Sequence, residues 1–156
     1  MTDHYRRLVR LAGLVCLDRT EAQDAVQNAL ERAWRHRSSL RDETKVGPWL
    51  DAIVVREAIR LNRAPAAILR ALVRPLLRTD EPATAVSMPM PTGLIDDLRR
   101  LPAAQRAVLA LHYEAGYSIA ETAGLVRAPV ETVRSRLRLA RQRLRRELRD
   151  SAEDAP

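Results

Sequence analysis

Apolar residues recur at steps of three and four along most of this chain, which is the spacing of one face of an α-helix. The clearest stripe consists of Val130, Val133, Leu137, Ala140 and Leu144. A shorter stripe of Ile119, Ala123 and Val126 precedes it, and the tight connection Arg127-Ala128 separates the two. The alternation that is typical of β-strands is nearly absent. The pattern therefore predicts a helix–turn–helix between Ser118 and Leu144, with its second helix opening at Pro129.

Three further helices are predicted in the first 63 residues. The first covers about Asp3 to Leu17, and its inward face consists of Tyr5, Leu8, Leu11, Ala12, Val15 and Cys16. The second begins at a capping box of Thr20 and Gln23. Its inward face consists of Ala22, Val26, Ala29, Leu30, Ala33 and Trp34. After a polar loop over 35–47, Pro48 suits the first turn of a third helix. These helices predict a small N-terminal domain over 1–63.

The middle of the chain has the composition of a linker. Residues 64–93 contain Pro75, Pro82, Pro89 and Pro91, and only the start of this segment has helical periodicity. A second helical domain is predicted over 94–150, followed by a disordered tail at 151–156. The predicted fold class is therefore all-α, with two small helical domains joined by a flexible linker and with a helix–turn–helix in the second. We expect the two domains to have no common core.

The composition supports an all-helical chain with a polyanionic partner. There is no Phe, and only two Trp and three Tyr occur among 156 residues. The formal net charge is +7, and nine arginines face three acidic residues between Arg127 and Asp150. Lys45 is the only lysine, and the excess of Arg fits phosphate and guanine contacts as well as a GC-rich coding bias. Nucleic acid is the first partner that this charge indicates, and an acidic membrane surface is the second.

The sequence lacks the usual signs of catalysis or metal binding. Cys16 is a lone cysteine, and His4, His36 and His112 are too far apart for metal-ligand spacing. There is no Gly-rich phosphate loop and no nucleophile elbow. We therefore expect no enzyme activity, no cofactor and no metal. Since no apolar run approaches membrane-spanning length and no signal peptide opens the chain, we expect a cytoplasmic protein without membrane insertion.

Short motifs in both halves resemble one known family. Residues 24–34, DAVQNALERAW, resemble the family helix D-x-V-Q-E-x-F-x-R-x-W, and Trp49-Leu50-x-x-Ile53 resembles W-L-x-x-I. Residues 101–109 resemble L-P-x-x-Q-R-x-V-L, residues 116–123 resemble G-x-S-Y-x-E-I-A, and residues 132–141 resemble T-V-K-S-R-L-x-R-A-R. The chain resembles an extracytoplasmic-function (ECF) sigma factor, a member of the sigma-70 family of initiation factors for bacterial RNA polymerase. Only the linker is unmatched.

The resemblance implies a promoter-specific transcription initiation factor that binds core RNA polymerase, recognises the −35 and −10 elements and helps to open the DNA. The polymerase-binding residues that it implies lie on the second helix: Asp24, Gln27, Asn28, Glu31 and Arg32. The −10 element would be held as a single strand by a set in the loop and the third helix: Arg37, Lys45, Trp49, Arg56, Arg60 and Arg63. For Trp49, a place in the core is the competing interpretation.

The −35 element would be read as a duplex by the second helix of the helix–turn–helix. The residues implied are Glu131, Thr132, Arg134, Ser135, Arg136, Arg138 and Arg141. Within this set, Glu131 and Arg134 have the chemistry to bind cytosine and guanine, whereas Arg136 and Arg141 suit phosphates. An anti-sigma factor is a further partner that an apolar seam between two small domains would suit.

Two other interpretations explain less of the sequence. A helix–turn–helix regulator that acts without stable polymerase docking fits the C-terminal half equally well, but it treats residues 24–34 as an ordinary helix. A basic bundle at a membrane surface explains neither set of motifs. The chain also departs from the family pattern at Arg56, Arg60 and Arg127. At Arg127, where the turn usually has Gly, we expect either a positive φ at some energetic cost or a reshaped turn.

Overall fold

The computed structural model describes residues 2–63 and 92–153, with the side chains of 3–63 and 93–146. The α-helices in these ranges are α1 (Thr2–Cys16), α2 (Arg19–Arg35), α3 (Val46–Leu61), α4 (Thr92–Arg99), α5 (Ala103–Leu109), α6 (Ile119–Val126) and α7 (Val130–Glu153). Two 3₁₀ turns, Arg37–Ser39 and Glu43–Lys45, lie between α2 and α3, and a π-helical turn, Ala110–Glu114, continues α5. The described residues contain no strand, as the all-α prediction requires.

Helices α1, α2 and α3 pack against one another around a core of small and aliphatic side chains. Ala12, Val15, Val26, Val54 and Val55 are completely buried there. The cap of α2 differs from the prediction, because the side chain of Asp18 accepts a hydrogen bond from the backbone N–H of Glu21 at 3.0 Å. The helix therefore begins at Arg19, and the predicted Thr20–Gln23 capping box is wrong. The predicted core position of Cys16 is confirmed.

Several large side chains that were expected to face inwards lie at the surface. Trp34 is 69% exposed, Tyr5 is 42% exposed, and Leu30 and Val130 are each 37% exposed. For Leu30 and Trp34, the physical reason is that Ala22, Ala25, Ala29 and Ala33 bring α2 close to its neighbours, so that the packed face is narrow and alanine-lined. The helical period was predicted correctly for these helices, whereas the width of the buried face was not.

The helix–turn–helix has the predicted layout. Ser118 caps α6, and its hydroxyl and the carboxylate of Glu121 form a reciprocal capping box. Arg127 ends α6 in the left-handed region with φ 53° and ψ 49°, the first of the two outcomes expected for a residue in the place of Gly. The carbonyl of Pro129 accepts from Val133, so Pro129 lies just before α7 rather than inside it. Val133, Leu137 and Ala140 are buried.

The expectation that the two halves have no common core is wrong. Ala107, Ala110 and Leu111 are buried in the same cluster as the core residues of α1, α2 and α3. Helices α5 and α6 also contact α3, and α5 contacts α1. The opposite side of α5 presents Val108 to the helix–turn–helix core of Ala123, Val133 and Leu137. Helix α5 is therefore shared by both halves, a role that periodicity along one helix does not reveal.

The predicted linker and the predicted tail overlap the described residues only at their edges. The predicted linker lies outside the described residues except for Thr92 and Gly93, which already belong to α4. Helix α7 continues to Glu153, so the first three residues of the segment expected to be disordered, 151–153, are helical. In the two described ranges, no helix is both long enough and apolar enough to cross a bilayer.

Candidate nucleic-acid interface

Helix α7 separates its apolar and polar residues into two faces, because its buried residues recur at 133, 137 and 140. The predicted −35 residues lie on the remaining surface. Glu131, Arg134, Arg138 and Arg141 are exposed, whereas Thr132, Ser135 and Arg136 are half-buried. The tight turn at Arg127 places the first helical turn of α7 beside the end of α6. This is the arrangement by which a helix–turn–helix presents the start of its second helix to a DNA groove.

Two of the predicted DNA contacts already have partners within the protein. The guanidinium of Arg134 donates to the carboxylate of Glu131, one turn earlier in α7. Arg141 donates to the hydroxyl of Tyr113 at 3.3 Å, which connects α7 to the π-helical turn. Both arginines remain exposed. If either arginine bound a guanine or a phosphate, it would replace one exposed contact by another. Breaking an exposed contact costs little compared with breaking a buried pair.

The predicted −10 residues fall into two environments. Arg37, Lys45 and Arg63 are exposed, the first two of them on the 3₁₀ turns between α2 and α3. Trp49 is half-buried and packs against the main core. The contact with the core supports the competing interpretation of Trp49 as an anchor for α3. Its remaining exposed part is what a stacking base could contact.

Arg56 is covered more than the other predicted −10 arginines. Its side chain is half-buried on α3, the helix that α6 also contacts. Burial is the main reason that the pKa of Arg56 lies below its ordinary value, and the positive charges of Arg127 and Arg32 lower that pKa further. Binding of a DNA phosphate by Arg56 would therefore offset its repulsion by Arg127 and Arg32.

A buried carboxylate that the sequence analysis missed connects two of the predicted sites. Glu57 on α3 is only 2% exposed. Arg32 approaches one carboxylate oxygen at 2.9 Å, and Arg60 approaches the other at 2.8 Å. Arg32 is a predicted polymerase contact and Arg60 a predicted −10 contact, so Glu57 fixes both on neighbouring helices. Glu57 and Arg60 are three positions apart, a helical spacing that could have indicated the pair.

On α2, the structure brings the predicted polymerase residues to one polar face. Asp24, Gln27 and Glu31 are exposed, and Asn28 is half-buried. Gln27 donates to Glu31 at 3.2 Å. The same end of α2 exposes Trp34, and the guanidinium of Arg37 lies 4.4 Å from the centroid of its ring. Tryptophan and arginine are among the residue types that contribute most often to the binding energy of protein interfaces.

A second buried carboxylate, also missed, lies where the halves meet. Asp51 on α3 is fully buried and accepts two hydrogen bonds from Arg7 of α1, at 2.7 and 2.8 Å. The hydroxyl of Tyr117 donates to the same carboxylate at 2.7 Å. Helical spacing places Asp51 on one face with Val54, Val55 and Ala58, and an acid on such an apolar face was the available signal.

The fold and this site define a transcription factor of two helical parts, the second of which presents a helix–turn–helix. Residues 1–66 match the family model of Sigma-70 region 2, and residues 94–144 match that of Sigma-70, region 4. The ECF RNA polymerase sigma factor SigM of Mycobacterium tuberculosis, in strains Erdman and H37Rv, is 38% identical over 147 residues. That match spans 92% of this chain and 72% of the relative.

A solved structure shares the fold. The sigma factor RpoE of Bartonella quintana, in its complex with the anti-sigma factor NepR, superposes with a TM-score of 0.66 at 24% identity. The alignment covers 94% of this chain and 92% of that one. The chain belongs to the sigma-70 family, in its extracytoplasmic-function group. It is a promoter-specific sigma factor, as the motifs in both halves predicted.

Proposed function

We propose that each part of this chain has one task in initiation, with α2 binding core RNA polymerase, α3 and the preceding loop holding the −10 element, and α7 reading the −35 element. The observation that carries the proposal is the polar face of α7, where Glu131, Arg134 and Arg138 lie opposite the buried Val133 and Leu137. A basic amphipathic helix behind a tight turn suits a major groove.

Within α7, position along the helix assigns the roles. Glu131, Thr132, Arg134 and Ser135 lie in its first turns, which enter the groove, and Arg138 extends the same face. We propose that Arg134 donates to guanine and that Glu131 accepts from cytosine after their mutual pair has opened. Arg136 and Arg141 would contact phosphates, which orient the helix without reading sequence.

For the −10 element, we propose a single strand held by the exposed cations Arg37, Lys45, Arg60 and Arg63 and by the half-buried Arg56. An unstacked base has to be compensated by a stacking or hydrogen-bonding surface, and Trp49 is the aromatic side chain of α3. Because Trp49 also supports the core, its substitution should affect folding together with DNA binding.

For polymerase binding, we propose the polar face of Asp24, Gln27, Asn28, Glu31 and Arg32. Amide side chains among scattered charges suit an interface that has to form and dissociate. Trp34 at the end of the same helix extends this face, since it is 69% exposed and tryptophan is enriched among the residues that contribute most to protein interfaces. Its exposure is the structural finding that adds it to the set.

We propose that the chain acts by binding and positioning, without catalysis of its own; sigma factors are generally not enzymes. The proposed site of action is the cytoplasm, where RNA polymerase and promoter DNA are found.

We also propose an anti-sigma factor as a partner. The RpoE structure contains one, and this chain has an open apolar cleft between α1, α4, α5 and α7 that includes Leu14, Leu94, Leu98 and Leu144. Leu94→Glu should then weaken that partner and leave binding to core polymerase unchanged.

The experiment that tests the main proposal is transcription in vitro with purified core polymerase on a promoter selected from a random library. We expect the chain to direct initiation from sites with two separated elements. Binding to one duplex element without retention of core polymerase in a pull-down would contradict the proposal. That outcome would instead support a helix–turn–helix regulator that acts alone.

A further inference from the structure

We infer that the hydrogen bond from Tyr117 to Asp51 is a latch that keeps the free chain in a closed form, which has to open before α3 and α7 can engage one promoter. This inference rests on the proposed function for its biological meaning, although the latch itself is a property of the free chain. We call this closed arrangement the latched form. It was not expected from the sequence, which predicted two halves without a common core.

The latch has one member from the C-terminal half. Asp51 and Arg7 both belong to the N-terminal half, where the guanidinium and the carboxylate form a two-point pair. Tyr117 reaches the same carboxylate from 66 positions further along the chain. If Tyr117 leaves, Asp51 keeps Arg7 as its partner. The buried charge is therefore compensated in both forms, and opening does not leave an unpaired carboxylate in the core.

The backbone of Tyr117 is fixed to its own half. Its N–H donates to the carbonyl of Leu111 at 3.0 Å, and its carbonyl lies 2.7 Å from Nδ1 of His112. Gly116, with φ +78°, makes the turn that directs the side chain towards α3. The phenol is therefore carried as part of the C-terminal half. A movement of that half away from α3 has to break the hydrogen bond to Asp51.

The latched form covers part of the proposed DNA-binding surface. Helix α6 packs on α3, and Arg56 of α3 is half-buried, whereas Arg60 and Arg63 are exposed. Arg127, at the end of α6, is close enough for its charge to lower the pKa of Arg56. Separating α6 from α3 would relieve this repulsion between Arg56 and Arg127.

The other contacts between the N-terminal and C-terminal halves differ in kind from the latch. Arg10 and Glu114 form a pair at 2.7 Å, but the Arg10 side chain is 62% exposed, so water weakens the pair. Arg106 and the apolar residues Ala107, Ala110 and Leu111 belong to the core itself. Among these contacts, the hydrogen bond of Tyr117 can be removed by deleting a single oxygen atom. Tyr117 is therefore the position where the closed form can be weakened without creating a cavity in the core.

The experiment compares Tyr117→Phe with Tyr113→Phe as a matched control. Tyr113 is exposed and its hydroxyl accepts only a 3.3 Å contact from Arg141, within the C-terminal half. Fluorescent labels at Ser38 and Gln142, both exposed, report the distance between the halves by single-molecule energy transfer. The buried Cys16 is changed to Ala in every version so that only the introduced cysteines react. Circular dichroism checks that each variant keeps its helical content.

We expect one short-distance population for the parent chain and for Tyr113→Phe. Tyr117→Phe should raise the ratio of open to closed molecules by about tenfold to hundredfold, the range for a hydrogen bond to a charged group. An unchanged distance distribution in Tyr117→Phe would overturn the inference, and so would a parent chain that is already open. These measurements contain neither polymerase nor DNA, so they can fail independently of the proposed function. Loss of the proposed function would appear as absent transcription by parent and variant alike.

Discussion

Arg106 donates from its Nε to the backbone carbonyl of Val15, 2.6 Å away and 91 positions earlier in the chain. It also donates to the carbonyl of Leu101. Burial lowers the pKa of Arg106 below its ordinary value, and its guanidinium donates to the backbone carbonyls of Val15 and Leu101 rather than to a carboxylate. One of them lies in the last turn of α1, where the helix dipole favours a cation. A side chain of α5 thereby caps the C-terminal end of α1.

Arg106→Met should lower the free energy of unfolding by about 3 kcal/mol, because buried carbonyls lose a charged donor. Urea unfolding followed by circular dichroism measures the change. Arg99→Met is the matched control, since Arg99 is exposed and pairs with Asp96 one turn away. An equal effect of the two substitutions would show that Arg106 has no special structural role.

Asp24→Ala combined with Gln27→Ala should weaken binding to core RNA polymerase and leave the helical content unchanged, since both side chains are exposed on α2. Affinity is measured by fluorescence anisotropy of the labelled chain. Asp96→Ala with Gln142→Ala removes a similar acid and amide from the other half and should bind normally. If the α2 variant also binds normally, polymerase docks elsewhere.

Arg134→Ala should cost about 1–3 kcal/mol of duplex binding and relax one base position of the −35 element, as expected for a bidentate base contact. Arg141→Ala should weaken all sequences about equally and lower the salt slope by about one. Titrations over a range of salt, on selected and scrambled duplexes, separate the two. Should both variants behave as uniform phosphate losses, specificity has to come from Glu131, Thr132 and Ser135.

Arg127→Gly should stabilise the chain by about 1 kcal/mol, because a residue with a side chain pays a steric cost at φ 53° that glycine avoids. Thermal unfolding measures the gain. Leu17, at φ 56°, provides the contrast: its side chain packs against the cluster of Leu98, Leu101 and Ala140, so Leu17→Gly loses apolar contact and should not stabilise. Destabilisation by Arg127→Gly would mean that the arginine side chain makes contacts that outweigh backbone strain.

Glu121 predicts a pH dependence of stability. The backbone N–H of Ser118 donates to its carboxylate and holds the pKa of Glu121 below its ordinary 4.5. The folded state binds this proton less readily than the unfolded one. The stabilisation is therefore fully present above about pH 4.5 and is lost as the pH falls through the lower, folded pKa. The melting temperature of Glu121→Gln should accordingly lie below that of the parent at neutral pH and converge with it in acid. A constant difference down to low pH would contradict the assignment.

The sequence was sufficient for features that depend on neighbours along the chain. The stripe of Val133, Leu137 and Ala140 and the positive φ of Arg127 both follow from local spacing and turn geometry. The predicted exposure of the polar α2 face at Asp24 and Gln27 is also a local property. Such features require no knowledge of what the helix packs against.

The features that were missed depend on residues far apart in the chain. Trp34 was assigned to an apolar face, but it is 69% exposed, whereas the adjacent Ala33 is buried. The pairing of Asp51 was missed because its partners are 44 positions before it and 66 positions after it. The common core was missed because Ala107 and Leu111 face one half and Val108 the other, which a single stripe cannot encode.

The shared position of α5 also has a consequence for synthesis on the ribosome. The chain emerges from its N-terminal end, so α1, α2 and α3 can assemble before residues 107–111 have left the exit tunnel. Until then, the cluster formed by α1, α2 and α3 lacks Ala107, Ala110 and Leu111, which belong to it in the full chain. The nascent first half should therefore expose apolar surface to chaperones until α5 emerges.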